Sequence, residues 1–130
     1  MKLRIHGNSI RLRLNRKEVA QFSDRACLEE ALEWGTGPDQ RLVYGLEASQ
    51  SAPDVGVRCS ERAITIILPA ALAHVWTSTD RVEISANVPV AAKNLSILVE
   101  KDFRRMHGAN NDPDLYPNPL EAKAGEVHHL

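Results

Sequence analysis

The sequence predicts an α+β domain rich in β-structure, made of two β-β-α-β-β repeats with an extended C-terminal tail. Three observations lead there. The chain of 130 residues reads twice, because residues 3–47 and 57–100 follow one pattern at an offset of 53–54. Short runs alternate apolar and polar residues, the period of half-buried strands. Each half also carries one helix-start signal between two strand pairs. Repetition is read first because a duplicated unit sets the whole architecture.

In the first half, Leu3 and Ile5, then Ile10, Leu12 and Leu14, alternate with polar or basic residues around Gly7-Asn8-Ser9. This is a hairpin signal, since Gly-Asn supplies the positive φ angles of a tight turn. Asn15, with Glu18 three residues on, starts a helix in the manner of a capping box. Val19 and Phe22 form its buried face over roughly two turns. Leu28 to Trp34 reads as a strand, Gly35 to Asp39 as a turn, and Leu42, Tyr44 and Leu46 as the inward side of the next strand. Ser49 to Asp54 is a polar linker.

The second half repeats the order. Leu3-Arg4-Ile5 aligns with Val57-Arg58-Cys59, Ile10 to Leu14 with Ile64 to Leu68, Phe22 with Trp76, and Leu42 to Glu47 with Leu95 to Glu100. Val55 to Cys59 and Ala63 to Leu68 are strands around the turn Ser60-Glu61-Arg62. Pro69 occupies the first helical position, where a missing N–H costs nothing. Leu72, Val75 and Trp76 form the apolar face of this helix. Val82 and Ile84 lie on a strand, Asn87 to Asn94 make a longer turn, and Leu95, Ile97 and Val99 close the pattern. The expected domain is 1–107, with repeats at 1–50 and 54–103. Residues 108–130, with three prolines between Pro113 and Pro119, form the tail.

The composition, 43% apolar and 25% charged, is that of a soluble globular protein. No apolar run nears the roughly 20 residues a membrane span needs. No signal peptide is visible, so Cys27 and Cys59 are read as reduced thiols and the location as cytoplasmic. Cys59 is expected in the core. The net charge of −1 is unevenly spread: residues 1–17 carry Lys2, Arg4, Arg11, Arg13, Arg16 and Lys17 and no acid.

Two stretches carry a family resemblance. Gly7-Asn8-Ser9-Ile10-Arg11-Leu12-Arg13-Leu14 is similar to the antitoxin opening in which Gly-Asn-Ser precedes an alternating strand. Ile66-Ile67-Leu68-Pro69-Ala70-Ala71-Leu72 and Asp80-Arg81-Val82-Glu83-Ile84 resemble the strand–Pro–helix step and the strand after it. The pattern resembles the AbrB/MazE-like swapped-hairpin superfamily of bacterial transition-state regulators and antitoxins, over roughly residues 1–103. The resemblance implies a pseudo-twofold swapped-hairpin barrel. Fusing two copies makes their partnering intramolecular, so a monomeric pseudo-dimer is expected. The whole chain also resembles a small set of uncharacterised bacterial proteins opening Met-Lys-x-Arg-Ile-x-Gly-Asn-Ser, a likeness that carries no activity.

The candidate nucleic-acid or anion site is the basic hairpin. Arg11 and Arg13 project to one side of their strand, and Lys2, Arg4 and His6 should share it on the partner strand. Asn8 and Ser9 could add hydrogen bonds to phosphates. The resemblance implies DNA contact there, but the matching surface of the second half is not basic, whereas a symmetric reader needs two arms. The bland reading is a solvated face, salt-bridged to Glu29, Glu30, Glu33 or Glu47. Trp34, Tyr44 and Trp76 could stack bases, although core or subunit contact is the favoured reading. The tail, with Leu115, Tyr116 and Leu120, is a second candidate surface for a protein, although packing against its own domain or plain disorder is the favoured reading. His107, Asp112 and Asp114 give a weak metal signal, and His74 can simply face solvent.

No nucleophile–base–orienter set, P-loop or dinucleotide fingerprint is present. An enzyme is therefore the disfavoured reading, and no cofactor or metal is expected. The leading reading is a non-enzymatic binding or regulatory module meeting duplex DNA through Lys2, Arg4, Asn8, Ser9, Arg11 and Arg13. The alternative is a protein–protein interaction module without DNA contact. No membrane role is expected.

Overall fold

A computed structural model describes residues 1–102. Its first element is the hairpin the Gly-Asn turn predicts. Strands β1 (Lys2–His6) and β2 (Ser9–Leu14) pair antiparallel, and Gly7 turns the chain at φ +56°. Helix α1 (Arg16–Arg25) follows, longer than the two turns expected. Its capping box is complete: the Glu18 amide donates to the Asn15 side chain and the Asn15 amide to the Glu18 carboxylate, both at 2.9 Å. Val19 and Phe22 are its buried residues. Then come β3 (Cys27–Glu33), β4 (Arg41–Ser49), β5 (Gly56–Ser60), β6 (Ala63–Pro69), α2 (Ala70–Ser78), β7 (Glu83–Val90) and β8 (Lys93–Lys101). The element order is β-β-α-β-β, twice.

Three local expectations need correction. Pro69 is the N-cap of α2, with extended backbone, and Ala70 is the first helical residue. Residues 87–94 are not a long turn. β7 and β8 continue through them and meet at Ala91-Ala92, with Ala91 at φ +55°. Pro89 is tolerated inside β7 because β7 is an edge strand, where a missing N–H breaks no ladder bond. On α2, Val75 is 43% exposed and Ala73 is buried in its place. Positions 73 and 76 lie one turn apart on the inner face, whereas 75 is rotated about 100° from 76.

The strands form two four-stranded sheets, ordered β1-β2-β8-β7 and β3-β4-β6-β5. Each joins a hairpin from residues 2–49 to one from residues 56–101, through a parallel central pair. The registers correspond: Ile10 lies opposite Ile97 in the first sheet, and Ile64 opposite Tyr44 in the second. The expected barrel does not close. Closure would require β1 or β7 to pair with β3 or β5, and neither does. The helices lie against the sheets instead, α1 on β3 and α2, and α2 on β6.

Both sheets and both helices feed one core. Leu12, Leu14, Ile84, Ile97 and Val99 come from the first sheet, Leu46, Ile66 and Leu68 from the second, and Phe22 and Trp76 from the helices. Phe22 meets Trp76 edge-on, with centroids 6.3 Å apart. The Trp76 indole N–H donates to the Val82 carbonyl at 3.0 Å, so burial leaves no orphaned donor.

The inward side of the sheets outruns this core. Ile5, opposite buried Ile10, is 58% exposed. Cys59, its counterpart in the repeat, is exposed rather than in the core, as is Cys27. Trp34 is 59% exposed and so is not a core residue. Ile5, Trp34 and Cys59 sit near the turn ends of their hairpins, whereas Cys27 faces outward opposite Glu47 at the start of β3. No helix among the described residues is long and apolar enough to cross a membrane. His107, Asp112, Asp114, Leu115, Tyr116 and Leu120, with the rest of 108–130, lie outside the described residues.

Candidate nucleic-acid interface

Antiparallel register places Lys2 opposite Arg13, Arg4 opposite Arg11, and His6 opposite Ser9. Residues opposite one another share a face. Because Ile10, Leu12 and Leu14 point into the core, all of these point outward, as the alternation predicts. β8 and β7 extend the pairs into rows across the sheet. The first row is Lys2, Arg13, Glu100 and Glu83; the second is Arg4, Arg11, Leu98 and Ser85; the third is His6, Ser9, Ser96 and Asn87.

The first row is largely neutralised. Glu100 lies 2.9 Å from Arg13 Nε and 3.3 Å from Arg11 Nε. Asp102 lies 3.0 Å from Lys2 Nζ and 3.4 Å from Arg13 Nη2. Arg13 Nε is buried and close to Glu100 but has no hydrogen bond of acceptable geometry, so this contact is an ion pair rather than a directed bond.

The comb is thus salt-bridged, but not to the acids expected from sequence. Glu30 holds the Met1 ammonium at 2.5 Å and accepts from the Tyr44 hydroxyl at 3.3 Å. Glu33 pairs with Arg41 at 3.4 Å, Glu47 with Arg58 at 2.7 Å, and Glu29 lies across from Gly45. All four belong to the second sheet. The neighbour of β2 is β8, so the neutralising acids come from the far end of the described chain.

Asn8 and Ser9 also have local duties. Asn8 Nδ2 donates to the Asn94 carbonyl at 2.8 Å, tying two hairpin turns together. The Ser9 hydroxyl donates to the His6 carbonyl at 2.5 Å, which spends its single proton. Arg4 differs from its neighbours: it has no hydrogen bond or ion pair among the described residues.

The second and third rows line a shallow depression of about 570 Å³, rimmed by Glu83. Ser85, Asn87 and Ser96 line it too, and these sequence reasoning missed. The faint signal was alternation on β7, where Ser85 and Asn87 flank inward Ala86. A wider hollow of about 1110 Å³ lies between the start of α1 and the end of α2. There Asn15 is used in capping, and Lys101 Nζ donates to the Thr79 carbonyl at 2.8 Å.

The Arg58 hydrogen bond, helped by its charge, holds the Glu47 carboxyl below its ordinary value. Burial pushes the Glu18 carboxyl up, but bonds from the Met1 ammonium and the Asn15 amide outweigh it and hold the group low. Burial beside Glu30 raises the Tyr44 hydroxyl. Among the described residues no three His, Cys, Asp or Glu side chains converge as metal ligands, and His74 faces solvent.

The sequence model of the family described as "Family of unknown function (DUF7009)" matches residues 1–120. No curated protein and no solved structure matches the chain.

Proposed function

The chain belongs to that family of unknown function, and we propose for it a non-enzymatic binding role in which the outer face of the first sheet meets the phosphate backbone of duplex DNA. The observation that carries this reading is the register: four cations, Lys2, Arg4, Arg11 and Arg13, share the outer face of one hairpin. Lys2, Arg11 and Arg13 are partly offset by Glu100 and Asp102, and Arg4 is the one of the four without a hydrogen bond or ion pair among the described residues. Phosphate contacts of this kind bring affinity and orientation, not sequence choice.

The proposal extends to the architecture. Two copies of an ancestral β-β-α-β-β unit, exchanging hairpins within one chain, would account for the shared register of the two sheets. Such an exchange agrees with the resemblance to swapped-hairpin regulators and supports a monomeric pseudo-dimer. The domain limits 1–107, with a tail after them, are kept as part of this proposal. The exposed free thiols of Cys27 and Cys59 support a reducing cytoplasm.

Fluorescence anisotropy on mixed-sequence duplex DNA across a salt series tests the reading. Affinity should fall steeply with salt, and the slope should drop by about 1 for each of Arg4 and Arg11 replaced by Ala. No binding at low salt would refute it. A second reading, protein recognition without DNA, is favoured by Leu32 and Trp34, 58% and 59% exposed at one hairpin end. A protein partner lost on Trp34→Asp but retained on Arg4→Ala would support that alternative.

A further inference from the structure

The depression on the first sheet holds more than a row of cations. Arg4 has no partner among the described residues, and neither has the Ser85 hydroxyl at the opposite side. Between them stand Arg11, held by Glu100 at 3.3 Å, and Leu98; beside Ser85 on β7 is Asn87, whose oxygen accepts from the Ser96 hydroxyl at 2.9 Å. That bond fixes the amide with its oxygen toward Ser96 and leaves its NH2 group available. The surface therefore presents guanidinium donors at one side and neutral donors at the other.

Its dimensions suit a small ligand. Strands lie about 4.8 Å apart, so β1 to β7 spans roughly 14 Å. The volume of about 570 Å³ falls within the range of small-molecule sites, roughly 300–1,000 Å³. A smooth duplex would bridge such a hollow rather than fill it. Resting on the basic-face reading above, we propose that the depression seats a phosphomonoester bearing a hydroxylated group, of sugar-phosphate size. The phosphate sits between Arg4 and Arg11, a geometry in which guanidinium forks bind phosphate oxygens. The hydroxyls meet Ser85, Asn87 and the rim carboxylate of Glu83. The same chemistry is offered by a free sugar phosphate and by the 5′-phosphorylated end of a nucleic acid strand.

Calorimetric titration with ribose 5-phosphate, with ribose, and with single-stranded oligonucleotides bearing a 5′-phosphate or a 5′-hydroxyl tests this on the full chain. Ribose 5-phosphate should bind and ribose should not. Arg4→Ala should weaken binding at least about tenfold, the loss expected for a charge-assisted hydrogen bond. Ser85→Ala should weaken it several-fold, and Lys17→Ala, on α1, should change nothing. All three positions are at the surface, and circular dichroism verifies that each variant is folded. A preference for the 5′-phosphorylated over the 5′-hydroxyl oligonucleotide, exceeding that for ribose 5-phosphate over ribose, identifies the strand end as the source; the reverse identifies the free sugar phosphate. Equal responses to ribose and ribose 5-phosphate, with no preference between the oligonucleotides, would overturn the seat. So would an Arg4→Ala variant with unchanged affinity. Duplex binding without phosphomonoester binding overturns the seat and leaves the backbone reading standing. Phosphomonoester binding without duplex binding does the opposite.

Discussion

The outer faces of the two sheets share a register and differ in charge. Where the first sheet has Arg11 and Arg13 on its central hairpin strand, the second has Thr65 and Ile67; where the first has Lys2, His6 and Ser9, the second has Gly56, Ser60 and Ala63. Arg4 and Arg58 are the one shared cation. Arg4 is unpaired among the described residues, whereas Arg58 is bound by Glu47 at 2.7 Å. Even the acids correspond, since Glu47 and Glu100 take equivalent positions on β4 and β8. One carboxylate thus faces one arginine on the second sheet and two on the first. The inward sides are alike because both must fill the same core. The outward sides are free to diverge, and among the described residues only the first leaves a strand arginine without an ion pair. That difference places the candidate site on the first sheet.

The comparison can be broken first at the core. Phe22 and Trp76, which align at the sequence offset, are packed edge-on. If the halves share one core, Phe22→Ala and Trp76→Ala should each cost about 3–5 kcal/mol. Urea unfolding followed by circular dichroism should remain a single transition in both variants. Two separate transitions would show that the halves fold independently.

A smaller effect should come from the acids. Glu100 is 12% exposed in its side chain and stands between two arginines, while Glu47 is 33% exposed and faces one. Glu100→Ala should cost about 1–2 kcal/mol, reduced from a fully buried pair because both arginines are a third exposed. Glu47→Ala should cost under about 1 kcal/mol. Glu100→Ala should also tighten binding of anions while Glu47→Ala leaves it unchanged. Equal stability losses and equal affinities would remove the asymmetry between the faces.

The smallest effect is in acid titration. Glu47 has a folded pKa below its ordinary value because Arg58 hydrogen-bonds the charged form. Its contribution to stability is present above the ordinary carboxylate value and is lost as pH falls through the depressed one. Glu18, also depressed, behaves likewise. Glu47→Gln should flatten the fall in stability below about pH 4.5, most visibly in low salt. An unaltered acid limb would mean that the Arg58 contact is dispensable in solution.

Much of the fold was legible because its signals are local. Alternation in Ile10-Arg11-Leu12-Arg13-Leu14 assigned each side chain to a face, and the Asn15–Glu18 pair marked a helix start that the structure closes as a capping box. The candidate site was legible in part. The shared face of Lys2, Arg4, Arg11 and Arg13 followed from strand periodicity. The structural duties of Asn8 and Ser9 did not, because their partners are main-chain carbonyls contributed by the folded turns.

By itself, then, the sequence determined the direction of side chains, the order of elements and the offset between halves, since these depend on backbone geometry within a few residues. Only the tertiary structure decided which strands became neighbours. Pairing β2 with β8 joins residues nearly ninety positions apart, a choice made by the packing of the whole core rather than by local preference. That choice set Glu100 and Asp102 beside the arginines; the tertiary packing likewise left two open sheets and Ile5, Trp34 and Cys59 in solvent.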